Sequence, residues 1–170
     1  MKIYKHTRRY SVFGQVCIVI GTALLLGCDM SGVPVRPEIR PGEVERVRIS
    51  ALTEFVPVPL MSDKVQIKTL IELIDPLDTS VKAAFTARFE LYEFRPLSSN
   101  PRGRRLLIWP EQNLNDPDMN NEHWQDFLRG YEFYLPLEFV PQQGKKYLLE
   151  VSCTIGQQRF DDLFKMQYQP

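Results

Sequence analysis

Residues 84–94 read Ala-Phe-Thr-Ala-Arg-Phe-Glu-Leu-Tyr-Glu-Phe. Phe85, Ala87, Phe89 and Leu91 fall on one face of an extended chain, and Thr86, Arg88, Glu90 and Tyr92 on the other. Successive strand side chains point to opposite faces, so this period of two predicts a strand with one buried and one wetted side. The pattern recurs on both sides of it. Val47, Ile49 and Ala51 alternate with Arg46, Arg48 and Ser50, and Val65, Ile67, Thr69, Ile71 and Leu73 alternate with Gln66, Lys68 and Glu72. Further alternating runs cover 131–139, 146–155 and 159–168, with a short apolar run at 105–109. Gly156-Gln157-Gln158 is a tight connection, so 146–168 reads as a hairpin.

Asp75-Pro76-Leu77-Asp78 is a turn signal, because proline presets the turn angle and aspartate caps it. Pro57 and Pro59 make 53–63 a loop or an edge segment. The one helical signal is Trp124, Phe127, Leu128 and Tyr131 at i, i+3, i+4 and i+7, which predicts a short helix over 121–129. Asn120 or Asn121 caps its start and Gly130 its end. About seven strands and one short helix predict a mainly β domain over 43–170, an antiparallel two-sheet sandwich, with a small barrel as the alternative architecture.

The first 42 residues are of another kind. A basic start (Lys2, Lys5, Arg8, Arg9) precedes an apolar segment over 12–26, which ends Leu24-Leu25-Leu26-Gly27-Cys28. Fifteen residues are too few for a comfortable membrane-spanning helix, which needs about 20. Basic, apolar, small residue, cysteine is an order that resembles the signal of bacterial lipoproteins, with 1–27 a cleaved signal peptide. The resemblance covers residues 1–28 only. It implies a diacylglycerol thioether on Cys28, cleavage before it, a further acyl chain on the new amino group, and a lipid-anchored place in the cell envelope. Two or three acyl chains at about 0.8 kcal/mol per buried methylene anchor a protein essentially permanently. Asp29 resembles the enterobacterial inner-membrane retention signal, which does not hold across all bacteria, so inner and outer membrane both stay open. Thr7-Arg8-Arg9 is a faint twin-arginine pattern, with Ser11 where that motif has a bulky apolar residue. Residues 28–42, rich in proline and glycine, read as a tether. Extended at about 3.1 Å per residue it spans roughly 40 Å.

Removal of 1–27 leaves 143 of the 170 residues, with 17 basic and 21 acidic side chains. A net charge of about −4 argues against nucleic acid, which requires a basic footprint. On this resemblance Cys17 would leave with the signal and Cys28 would be lipidated, leaving Cys153 without a partner for an intramolecular disulfide. It lies on the apolar face of its strand and reads as a buried thiol.

Several residues stand out as candidate sites. Asn113, Asn115, Asp116, Asp118, Asn120, Asn121 and Glu122 form a polar cluster. Asp116-x-Asp118-x-Asn120 resembles the first half of a calcium-binding loop, making Asp116, Asp118 and Asn120 candidate metal ligands. The second half departs from that pattern, with Asn121 at the glycine turn and Phe127 in the twelfth position. The competing reading is a polar turn and helix cap. Arg95, Arg102, Arg104 and Arg105 crowd the predicted loop 95–104, where they meet phosphate or lipid headgroups or pair with the acidic loop 111–126. Trp109, Trp124 and the tyrosines are candidates for a carbohydrate platform or for packing over the sandwich end. His123 with Asp126 or Glu122 is the only material for a hydrolase, and no Gly-x-Ser-x-Gly elbow accompanies it.

Together these readings describe a non-enzymatic binding or scaffold module without a resident cofactor. It is anchored to a membrane and engages a protein or envelope polymer through loops 95–104 and 110–122. Small sandwich lipoproteins serve this way in envelope assemblies, type VI secretion included, an analogy at the level of fold. A calcium- or sugar-binding domain is the alternative, and a hydrolase the third.

Overall fold

A computed structural model describes residues 43–169. Cys28, the predicted signal peptide and the predicted tether lie outside the described residues. In chain order the elements are β1 (Arg46–Ile49), β2 (Glu54–Val58), β3 (Met61–Ile74), β4 (Ser80–Val81), β5 (Thr86–Phe94) and β6 (Arg102–Ile108). There follow β7 (Gln112–Asn113), the helix α1 (Pro117–His123), β8 (Trp124–Gln125), β9 (Gly130–Pro136), β10 (Lys146–Ile155) and β11 (Gln158–Gln167). They make two antiparallel sheets, the two-sheet sandwich that the alternation predicts. The first has six strands around β3 and the second five around β5 and β10.

β3 is the spine of the first sheet. Ile71 pairs with both Ile49 of β1 and Tyr131 of β9, and Lys68 with both Glu54 of β2 and Tyr134 of β9. So β1 and β2 share one side of β3, and β9 lies on the other. β1 and β2 are in effect one strand interrupted at 50–53. There Ser50 N–H donates to the Leu70 carbonyl at 2.8 Å, and Thr53 Oγ1 accepts from Leu70 N–H at 3.3 Å. The threonine hydroxyl thereby replaces the ladder bond that the interruption removes. In the second sheet the order is β11-β10-β5-β6, with β7 continuing beside β6 along β5.

The inward faces are those read from the alternation. Phe85 just before β5 and Ala87, Phe89 and Leu91 on it are buried, as are Ile67, Thr69, Ile71 and Leu73 of β3 and Tyr147, Leu149, Val151 and Cys153 of β10. Aromatic pairs cross between the layers: Phe85 against Tyr131 at 4.8 Å between centroids and Phe89 against Phe133 at 4.9 Å. Trp109 closes one flank, its indole N–H donating to the Pro136 carbonyl at 2.9 Å. Each large side chain buried in this way contributes about 1.5–3 kcal/mol against chain entropy.

The segment 53–63 holds β2, the edge segment that its prolines allow, with a register shift between Pro57 and Val58. Three details differ from the expectation. The helix sits earlier than 121–129, at Pro117–His123, because Asp116 caps it. The Asp116 carboxylate accepts from the N–H groups of Asp118 at 2.9 Å and Met119 at 3.1 Å, and Pro117 occupies the first turn, where its missing N–H costs nothing. Trp124 and Gln125 instead pair with Tyr131 and Gly130 in a hairpin, and Phe127 is fully exposed at its turn, so the helical spacing was coincidental. Gly130 begins a strand rather than ending a helix. A Cβ there would lie 2.9 Å from the Ile71 carbonyl oxygen. Finally, β6 begins at Arg102, so the loop before it covers only 95–101.

Register also assigns the ends. Gln66 opposes Pro136 and Glu93 opposes Tyr147, and residues 137–145 join those two places. One end of the sandwich therefore carries the β2–β3 turn at 59–60, loop 95–101 and segment 137–145. The chain enters at the other end, where Glu45 N–H donates to the Ile74 carbonyl at 2.8 Å. That end also holds the 75–79 turn, α1 and the 126–129 turn.

Candidate functional site

The arginines singled out by the sequence do not form a loop cluster. Arg102, Arg104 and Arg105 ride on β6, and their partners lie across the second sheet rather than in the acidic loop 111–126. Arg102 grips Glu150 with two nitrogens at 2.8 and 2.6 Å. Arg105 reaches Glu90 at 3.1 Å, and Arg104 reaches Glu93 at 3.2 Å. The reason is register. β6 lies beside β5, and β10 lies on the far side of β5, which puts Glu90 and Glu150 directly opposite each other. Two carboxylates so placed repel unless cations stand between them. Arg88 Nε, 3.3 Å from Glu90, and the Tyr92 hydroxyl, which donates to Glu90 at 2.7 Å, complete the neutralisation. Burial pushes the Glu90 carboxyl up, but Tyr92, Arg105 and Arg88 together hold it below its ordinary value. Tyr92, partly buried and bonded to that carboxylate, is pushed up to about 12. On this outer face Glu90 and Glu150 each have a cationic partner, while the buried Arg88 Nε makes no hydrogen bond of its own.

The open site lies beyond it, where β5 and β6 meet segment 137–145. A cleft of about 400 Å³ is lined by the charged Glu93, Arg104, Arg105 and Lys145 and by Leu106, Phe139, Val140 and Tyr147. Lys145 Nζ donates to Glu93 at 3.0 Å, and Arg104 shares the same carboxylate oxygen. The Lys145 and Arg104 bonds hold the Glu93 carboxyl below its ordinary value. Two cations thus hold the Glu93 carboxylate, while Arg105, in the same lining, is paired with Glu90. Val140 is exposed at the crest, and a second cleft of about 420 Å³, with Lys64 and Glu138 in its lining, lies on its other side. The lining of the first cleft offers fork and ammonium donors for an anionic group, and an apolar face for its neighbour.

Charge divides the domain by its ends. Lys64, Arg95, Arg104, Lys145 and Lys146 stand against Glu93 and Glu138 at the cleft end. At the chain-entry end Glu43, Glu45, Asp75, Asp78, Asp116 and Asp118 are joined by Glu122 and Asp126, against Arg46, Lys82 and Arg129. A slightly acidic domain therefore presents a basic end.

The remaining candidates hold the fold. Asn120 is buried. Its amide donates to the carbonyls of Ala83 at 2.7 Å and Leu114 at 2.8 Å, and its oxygen accepts from the Tyr131 hydroxyl at 3.2 Å. Asp116 is the helix cap, and Asp118 is exposed beside it. Among the described residues no group of three or more His, Cys, Asp or Glu side chains is placed to hold a metal ion. His123 stacks on Phe133 at 4.5 Å and donates from Nδ1 to the Glu132 carbonyl at 2.8 Å. Asp126 accepts from the Trp124 indole at 2.7 Å. Trp124 packs edge-on against Tyr131, and Trp109 is buried, so neither forms a free platform. Cys153 is buried, which pushes its thiol up to about 12. The two loops expected to act together, 95–104 and 110–122, lie at opposite ends of β5.

Glu93, Lys145, Phe139 and Val140 were not picked out from the sequence. The only local signal is Gly144-Lys145-Lys146, a turn followed by two cations. No known protein family matches the chain, and neither the curated proteins nor the solved structures contain a match to it.

Proposed function

We propose that this chain is a lipoprotein of the bacterial cell envelope, anchored through Cys28, that acts as a non-enzymatic binding module through the basic end of its sandwich. The reading of the anchor rests on the order of residues 1–28. The reading of the binding end rests on one observation: the cleft of Arg104, Arg105, Lys145 and Val140 opens at the end remote from chain entry. β3 runs fourteen residues between the two ends, roughly 45 Å at about 3.3 Å per residue. A module held at one end has its other end free for a partner, which is a protein or an envelope polymer.

Two measurements test this. Cys28→Ala should move the protein from carbonate-washed membranes to the soluble fraction without loss of fold. Retention on membranes with the signal removed refutes the anchor. A photo-crosslinking residue at Val140 should capture a partner in intact cells, whereas one at Asn121 should not. Capture from Asn121 alone refutes the assignment of the binding end.

A further inference from the structure

The basic end carries a second feature that the cleft does not use. Leu60 and Leu97 are both fully exposed, and both have positive φ, 64° and 57°. A left-handed backbone crowds Cβ, so such turn positions normally hold Gly, Asn or Asp. Here each follows a proline, Pro59-Leu60 and Pro96-Leu97, which stiffens the turn. One turn belongs to the first sheet and the other to the second, yet both project from the same end. The fold gains neither packing nor backbone ease from either leucine. At the 75–79 turn, by contrast, the positive φ falls on Asp78.

We propose that this end docks on an anionic phospholipid surface, with Leu60 and Leu97 entering the headgroup region and the surrounding cations meeting the phosphates. The proposal rests on the reading of this end as the recognising one and goes beyond it, giving the leucine tips a ligand separate from the protein or polymer that the cleft takes. Charge complementarity selects the bilayer: Lys64, Arg95, Arg104, Lys145 and Lys146 lie at this end and outnumber Glu93 and Glu138, while the opposite end is acidic. Geometry selects it too. A protein partner needs a continuous complementary patch of about 800 Å², whereas a bilayer accepts single apolar side chains presented on separate rigid turns. The acidic end has its own exposed aromatic, Phe127, but Asp126 and Glu122 near it repel anionic headgroups.

The test uses the full chain carrying Cys28→Ala, so that lipid anchoring and tip docking are read apart. An environment-sensitive fluorescent amino acid replaces Leu60, Leu97 or Phe127 in turn. On vesicles of phosphatidylcholine with about a third phosphatidylglycerol, probes at 60 and 97 should shift to the blue and be quenched by spin-labelled lipid, and the probe at 127 should not. Pure phosphatidylcholine should give no shift, and about 1 M salt should abolish it, since the screening length then falls to about 3 Å. Arg95→Gln and Arg104→Gln should each weaken binding about fivefold. Probes at 60 and 97 that stay in water on both vesicles overturn the proposal, as does equal burial at all three positions. Photo-crosslinking at Leu97 that captures a protein, without any vesicle response, overturns it in favour of a protein partner. Failure of Cys28-dependent anchoring would appear in the membrane fractionation and leave these readings unaltered.

Discussion

Replacing Asn120 by alanine should lower the unfolding free energy by about 2 kcal/mol. The magnitude follows from what each partner retains. Asn120 donates to the carbonyls of Ala83 and Leu114 and accepts from the Tyr131 hydroxyl. After truncation the Ala83 carbonyl still receives the Tyr131 hydroxyl at 2.9 Å. The Leu114 carbonyl has no such substitute and is stranded in a buried site, at a cost of about 1–3 kcal/mol for one unsatisfied group. Each kcal/mol shifts the melting midpoint of a domain this size by roughly 3–4 °C, so the fall should be roughly 6–8 °C. Circular dichroism of the full chain reads it directly. Asn120→Asp should cost more, because a carboxylate would face two carbonyl oxygens where two donors stood. Both variants and the parent should melt identically in calcium and in chelator, since the Asp116 carboxylate already caps a helix and the Asn120 oxygen already accepts a hydrogen bond. An alanine variant that melts within about 2 °C of the parent refutes the brace. A midpoint that rises with calcium, most of all in Asn120→Asp, refutes the reasoning in favour of the metal loop.

Two further expectations concern the second sheet. Gly103→Ala would place a Cβ 2.7 Å from the Glu93 carbonyl oxygen, forcing β5 and β6 apart, and should cost about 1–3 kcal/mol and loosen the Glu93–Lys145 rim, whereas Gly156→Ala, in open space, should cost about 1 kcal/mol through its φ of 58° alone. Paired denaturant titrations distinguish the two, and equal losses would contradict the close approach. Cys153 has a raised thiol pKa in the fold, about 12 against an ordinary 9.0, so the folded state holds its proton where the unfolded state has lost it. Its contribution is intact below about pH 9 and is lost as the pH rises from there towards 12. The difference in stability between the parent and Cys153→Ala should therefore narrow over that window, and a difference that does not change with pH would count against the burial.

How much of this was legible in the chain depends on the distance over which each feature is determined. The faces of β3, β5, β10 and β11 follow from residues two apart, because the pleat converts alternation directly into burial. The C-terminal hairpin follows from Gly156 between two such runs. The helix was misread because Trp124, Phe127, Leu128 and Tyr131 satisfy a helical spacing by chance. The true signal was the shorter Asp116-Pro117 cap, and the pairing of Trp124 with Tyr131 overrode the period. Asn120 stands out within its polar cluster, but its role as a brace is not local, since the carbonyl of Ala83 to which it donates lies 37 positions away in the chain.

The sequence by itself determined the fold class, the buried face of each long strand and the buried Cys153, and its first 28 residues carry the pattern on which the proposed anchor rests. Those are local properties, fixed by side-chain type and by the period of the backbone. Only the tertiary structure decided which charges meet. Arg102 finds Glu150 across β5, Lys145 joins Arg104 on Glu93, and the loops 95–101 and 110–122 part to opposite ends. Strand order and register set those encounters, and both arise from how two whole sheets pack. No window of the sequence contains them, so the basic, leucine-tipped end emerges only when the chain is folded.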